Sequence, residues 1–261
     1  MYFTNKGLSS RMRFLILLIL LNFQVIGQTI IEKAISGEDQ NRKKPLFEAL
    51  DAGFAGVAVD VELNKAGDLM CGKKNLAELY LSPLKTKTEQ NNGWVYANKI
   101  EEFIIIIDFK SDSNLTYKSF LKAIEPFESI LTSYEQGKRT KKAVKIILTG
   151  NVPRKEIINT VKKNYTLDEP INKLSNNVDA LTISMATINF KKTFDWKGEG
   201  SMPNMQYHGY TTYIKLAHKI GRSVRVKNIP ESKNAINILS ETGVDFIEIK
   251  DIPAFLSNIK N

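Results

Sequence analysis

Four short stretches carry charged residues two apart. VAVDVEL holds Asp60 and Glu62, FIIIIDFK holds Asp108 and Lys110, SVRVK holds Arg225 and Lys227, and FIEIK holds Glu248 and Lys250. In an extended chain residues two apart share a face, so each pair points one way if its stretch is a strand. Carboxylates brought together from neighbouring strands can hold a hard divalent ion such as Mg²⁺ or Ca²⁺. Cations around them can hold a phosphate and stabilise charge that develops on it. Asp60, Asp108 and Glu62 are the metal-ligand candidates; Lys73, Lys110, Arg225 and Lys227 are the anion-binding candidates. A blander arrangement uses the same residues. Buried charge is costly unless paired, so Asp60 with Lys110 and Asp108 with Arg225 could form a lattice that only closes the fold. The residues alone leave both readings open.

Other chemistries lack their parts. The two histidines, His208 and His218, fall in or near one helical segment, and no Ser-His-Asp or Cys-His arrangement can be built. Cys71 is alone, so the chain has no internal disulfide. A carboxylate pair working on sugars needs an aromatic platform, for which only Trp196 and a few tyrosines are available. The glycine-rich phosphate loops of nucleotide-binding folds are absent.

The elements that must position these residues alternate along the chain. Apolar stretches predict strands at Ile30–Ile35, Val57–Leu63, Phe103–Lys110, Ala143–Thr149, Tyr165–Leu167, Ala180–Met185, Ser223–Lys227 and Val244–Ile249. FIIIIDFK is apolar on both faces, as a parallel strand under helices should be. Helical patterns fall at Pro45–Ala52, Asn75–Leu81, Thr116–Glu135 (interrupted by Pro126), Pro153–Lys163, Asn204–Ile220, Ser232–Thr242 and from Ile252. Eight strands with crossovers predict an α/β chain folded as one somewhat irregular TIM-type (β/α)8 barrel, with chemistry at the C-terminal ends of its strands.

Residues 1–27 stand apart. Lys6, Arg11 and Arg13 precede the apolar run FLILLILL, and Val25-Ile26-Gly27 ends in a small residue, which is the pattern of a cleaved signal peptide. Asn22 and Gln24 interrupt the run short of the ~20 residues a membrane span needs. The expected mature domain is 28–261, exported to the periplasm or beyond, with no stable span once the signal is removed. The formal net charge of the 261-residue chain is +9, and three of its basic residues belong to the leader. The rest favours anionic partners in general; no nucleic-acid partner is expected.

The runs KKPLFEALDAGFAGVAVDVEL, NLAELYLSPL and FIIIIDFKSD, with FDWKGEGSMP, AHKIGRSVRV and TGVDFIEIKDI later on, resemble the phospholipase C-like phosphodiesterase superfamily. The likeness covers nearly all of the mature chain. It is strongest to the group named after altered inheritance of mitochondria protein 6, kin to glycerophosphodiester phosphodiesterases. The resemblance implies a TIM-type barrel that hydrolyses phosphodiesters with two histidines as acid and base and a carboxylate-held divalent metal. Carried over without gaps from Pro45, the histidine places hold Ile35 and Gly37, with Asp39 retained. The Glu-x-Asp of the second strand reads Ala58-Val59-Asp60, and a later histidine becomes Lys73. A tryptophan of the seventh strand becomes Lys227. Asp60, Asp108, Lys110 and Arg225 are retained. Lysine, with a reference pKa of about 10.4, holds a phosphate well and moves protons poorly at neutral pH. The resemblance therefore implies a catalytically impaired relative that binds a phosphate-containing small molecule or lipid headgroup. The alternative is an active metal-dependent diesterase, with Mg²⁺ or Ca²⁺ and Lys73 as a general acid of lowered pKa.

Overall fold

The computed structural model describes residues 30–260; the expected leader, 1–27, lies outside them. Eight parallel strands close on themselves. They are β1 (Ala34–Ser36), β2 (Gly56–Leu63), β3 (Phe103–Phe109), β4 (Val144–Gly150), β5 (Tyr165–Pro170), β6 (Ile183–Asn189), β7 (Ser223–Lys227) and β8 (Phe246–Ile249). Each pairs with the next, and β1 pairs with both β8 and β2, which closes the barrel.

Alternation along β3 explains why FIIIIDF is apolar throughout. Ile104 and Ile106 point into the barrel, where they meet Ile35, Ile147 and Met185. Ile105 and Ile107 point outward into the larger core beneath the helices. Among the described residues, seven helices of six residues or more lie outside the strands: α1 (Phe47–Ala52), α2 (Ser82–Gln90), α3 (Ser113–Ile124), α4 (Arg154–Asn159), α5 (Asn204–Lys219), α6 (Lys233–Ser240) and α7 (Ile252–Lys260). On α3, Thr116, Tyr117, Phe120 and Ile124 form the buried face, and Asp112 caps its start by accepting from the Leu115 amide at 2.9 Å.

The irregularities have local causes. The pattern beginning at Ile30 opens with a helical turn, and the strand itself is only Ala34–Ser36. The helix expected to reach Glu135 stops at Ile124 because Pro126 cannot continue it. Ser133–Glu135 and Lys138–Thr140 then form a hairpin that also pairs with Lys162–Lys163, so α4 ends at Asn159 rather than Lys163. The sixth strand runs Ile183–Asn189, four residues further than its pattern predicts. Between β5 and β6 there is only the turn Ile171–Lys173 instead of a helix. Among the described residues no helix is long and apolar enough to cross a membrane.

Candidate functional site

Above the apolar layer inside the barrel, the next inward positions are polar. Asp60 on β2 stands opposite Asp108 on β3, and Asp108 opposite Thr149 on β4. Lys110, two residues beyond Asp108 on the same face, curls back so that its Nζ lies 2.6 Å from Asp108 Oδ2 and 3.2 Å from Asp60 Oδ1. Burial pulls the Lys110 amine down, but Asp108 by hydrogen bond and charge, with Asp60, outweighs it and holds the amine above the ordinary lysine value. Gly150 makes room for this arrangement. Its φ is +78°, and a Cβ there would sit 2.1 Å from Asp108 Oδ1.

These two carboxylates are a thin donor set for a hard divalent ion, which takes six or more oxygens. Both already face the Lys110 amine. Glu62, the third candidate ligand, shares Asp60's parity but lies past the barrel rim, where the end of β2 turns into an antiparallel hairpin with Leu69–Cys71. It is exposed and outside the cavity. Among the described residues no group of three or more His, Cys, Asp or Glu could hold a metal.

Arg225 stands where the sequence places it but is not open to a ligand. Its side chain is 2% exposed, with Nη1 3.1 Å from Glu248 and Nη2 3.2 Å from Asp168. Its Nε donates to Thr187 Oγ1 at 3.0 Å, and that hydroxyl donates to Asp168. The expected pairing of Arg225 with Asp108 is therefore wrong, whereas that of Asp60 with Lys110 is present. Sequence reasoning missed Asp168 by ending the fifth strand at Leu167. The strand continues to Pro170, and plain alternation puts Asp168 inward, on the face Thr166 shares with Ile147, while Leu167 faces the outer core. The sequence signal was an Asp following a short apolar strand, the same pattern that marks Asp108. Burial pushes the Asp168 carboxyl up, against the lowering pull of Arg225 and Thr187.

Lys73 occupies the exposed turn of the rim hairpin between Leu69–Cys71 and Lys74–Asn75, and lines neither mouth cavity. Both histidines are exposed on α5, outside the barrel; His218 bonds Asp245 at 2.7 Å. Asp39 is fully buried in a loop role. It accepts from Ser36 Oγ (2.6 Å), the Leu46 amide (2.6 Å) and Tyr80 OH (3.0 Å), and fixes Leu46 at a φ of +66°. Gly37 packs directly on the buried Glu248: a Cβ there would meet Glu248 Cγ at 2.7 Å.

The mouth has two adjoining lobes that share Thr149 and Lys227. The smaller, about 110 Å³, is lined by Glu38, Asp60, Asp108 and Glu248 against Lys110, Arg225 and Lys227. Carboxylates outnumber cations there, so it is not the cationic mouth the sequence suggested. The larger, about 300 Å³, carries Lys192 and Lys227 against Asp168 alone, with Asn172, Asn189 and Thr193 as neutral polar walls. Sequence reading named Lys227 but not Lys192.

A closed parallel barrel with a polar, two-lobed mouth at its strand ends defines a TIM-type barrel. The sequence model of the AIM6-like phosphodiesterase domain matches residues 25–168, more than half of the chain, and the chain belongs to that family. It is 26% identical to altered inheritance of mitochondria protein 6 of Eremothecium gossypii, over 86% of this chain and 69% of that protein. It is 24% identical to the protein of the same name from Lachancea thermotolerans, over 85% of this chain and 64% of that one. The crystal structure of a glycerophosphodiester phosphodiesterase from Parabacteroides distasonis superposes with a TM-score of 0.53 at 15% identity, covering 88% of this chain and 96% of that one. That likeness concerns the fold.

Proposed function

We propose that this phosphodiesterase-family barrel binds a phosphate-containing ligand, a small molecule or a lipid headgroup, in the larger lobe of its mouth and has lost most of the family's hydrolytic power. One observation carries the reading. The mouth keeps cations suited to an anion, Lys192 and Lys227, while both histidines of the chain lie on the outer helix α5. Removing one general acid or base costs ~10²–10⁴ in rate. Lys110 cannot take the part, because its carboxylate partners hold it protonated at neutral pH. Lys73, on the exposed turn of the rim hairpin, lines neither lobe.

A second reading, an active metal-dependent diesterase, draws support from Asp60 and Asp108 facing one point across adjacent strands. The two separate in one assay. The purified chain is offered bis(p-nitrophenyl) phosphate and glycerophosphodiesters with Mg²⁺ or Ca²⁺, beside Asp60→Ala. Rapid turnover lost in that variant overturns the binding reading; phosphate binding without turnover supports it. We also propose, from the pattern of residues 1–27, that the chain acts after export. N-terminal sequencing of the protein from the producing cell tests this, with Gln28 as the expected first residue.

A further inference from the structure

The opposite end of the barrel holds a second cavity, of about 650 Å³, at the N-terminal ends of the strands. Its floor is apolar, made by Phe54, Ala55, Ile104 and Phe246. Lys145 enters it from β4, on the face that one step further along carries Ile147 into the barrel. The ionisable groups around it are already engaged. Lys99 pairs with Glu32 at 3.0 Å, Glu101 with Lys141 at 3.2 Å, Glu102 with Arg139, and Asp245 with His218 at 2.7 Å. Tyr96 donates to the Phe54 carbonyl at 2.7 Å. Lys145 alone among the cavity's ionisable side chains has neither an ion pair nor a hydrogen bond among the described residues.

We propose that this cavity is a second ligand site, in which the Lys145 amine takes a small apolar aldehyde as a reversible imine. The Nζ lone pair adds to the carbonyl carbon, and the oxygen gains the proton that nitrogen gives up. The carbinolamine then loses water to leave C=N. Hydrolysis returns amine and aldehyde, and no oxidant or reductant is consumed. Free amine is available because burial pushes Lys145 down to about 8, with Arg139 adding to the effect and Glu102 and Asp245 opposing it. A larger share of its amine is therefore neutral near pH 7 than in an ordinary lysine. An apolar floor beneath carboxylate-bearing walls favours an uncharged carbonyl compound over an anionic one.

The test treats the whole protein with benzaldehyde at pH 7.5, traps the imine with borohydride and maps the label by peptide mass spectrometry. Lys145 should be labelled about tenfold faster than exposed lysines such as Lys74, and Lys145→Arg, shown to be folded by circular dichroism, should lose that label. Label spread over surface lysines with Lys145 no faster than the rest overturns the proposal. A ¹³Cε resonance of Lys145 that titrates above pH 10 overturns it independently of the chemistry. Glyoxylate labelling Lys145 as fast as benzaldehyde overturns the ligand class.

Discussion

Lys110 Nζ lies 2.6 Å from Asp108 Oδ2, a side chain two residues back along the chain, near the end of β3. With Asp60 on the neighbouring strand completing the group, the chain supplies its own cation to the two carboxylates expected from the sequence as metal ligands. Lys110→Met should therefore cost about 1 kcal/mol in urea unfolding, since the three side chains are partly exposed. It should also create a response to Ca²⁺ that the parent lacks, a melting temperature rising with ion concentration beyond the effect of ionic strength. The pH dependence has a definite sign. Because the folded amine is held above its ordinary value of 10.5, the contribution is complete below that value and disappears only as pH rises through the still higher folded value. An identical Ca²⁺ response in parent and variant would contradict this account.

Arg225 is enclosed by Asp168 and Glu248. Replacing it by Leu leaves two buried carboxylates facing one another without a counter-charge, and about 3–5 kcal/mol of stability should be lost. Chemical denaturation measures this directly. A loss below 1 kcal/mol would mean that water or another cation takes over.

For the larger lobe, Lys192→Met and Lys227→Met should each weaken inorganic phosphate binding about tenfold at low salt, the worth of one charge-assisted hydrogen bond. Isothermal titration reads it out. Lys73→Met, on the rim hairpin, should leave the affinity unchanged.

Lys145 gives the opposite pH signature to Lys110. Its folded pKa, about 8, lies below the ordinary 10.5, so at neutral pH the folded state carries a charge it disfavours. Between those two values the unfolded chain holds the extra proton, and stability rises with pH. Lys145→Met should raise the melting temperature at pH 7, with the gain shrinking toward pH 10. A variant less stable than the parent at pH 7 would contradict this.

The barrel was legible because alternation in strands such as Phe103–Phe109 reports which side chains enter the interior, and two-residue spacing put Asp60, Asp108, Arg225 and Lys227 on the inward face. Partner choice was not legible. Whether Arg225 meets Asp108 or Asp168 depends on how far the fifth strand runs, and the short apolar stretch Tyr165–Leu167 did not show that it continues to Pro170. Glu62 was misplaced for a related reason: parity gives direction, not height above the rim. Lys73 was placed by counting along a loop that in fact folds into a hairpin pointing to solvent.

Glu248 fills the space over Gly37 and at the same time neutralises Arg225. A histidine at position 37 would have to evict that carboxylate, and the eviction would strip a buried guanidinium of one of its two carboxylate partners. Any larger side chain at position 37 thus reaches through Glu248 on β8 to Arg225 on β7, and those three positions must change together.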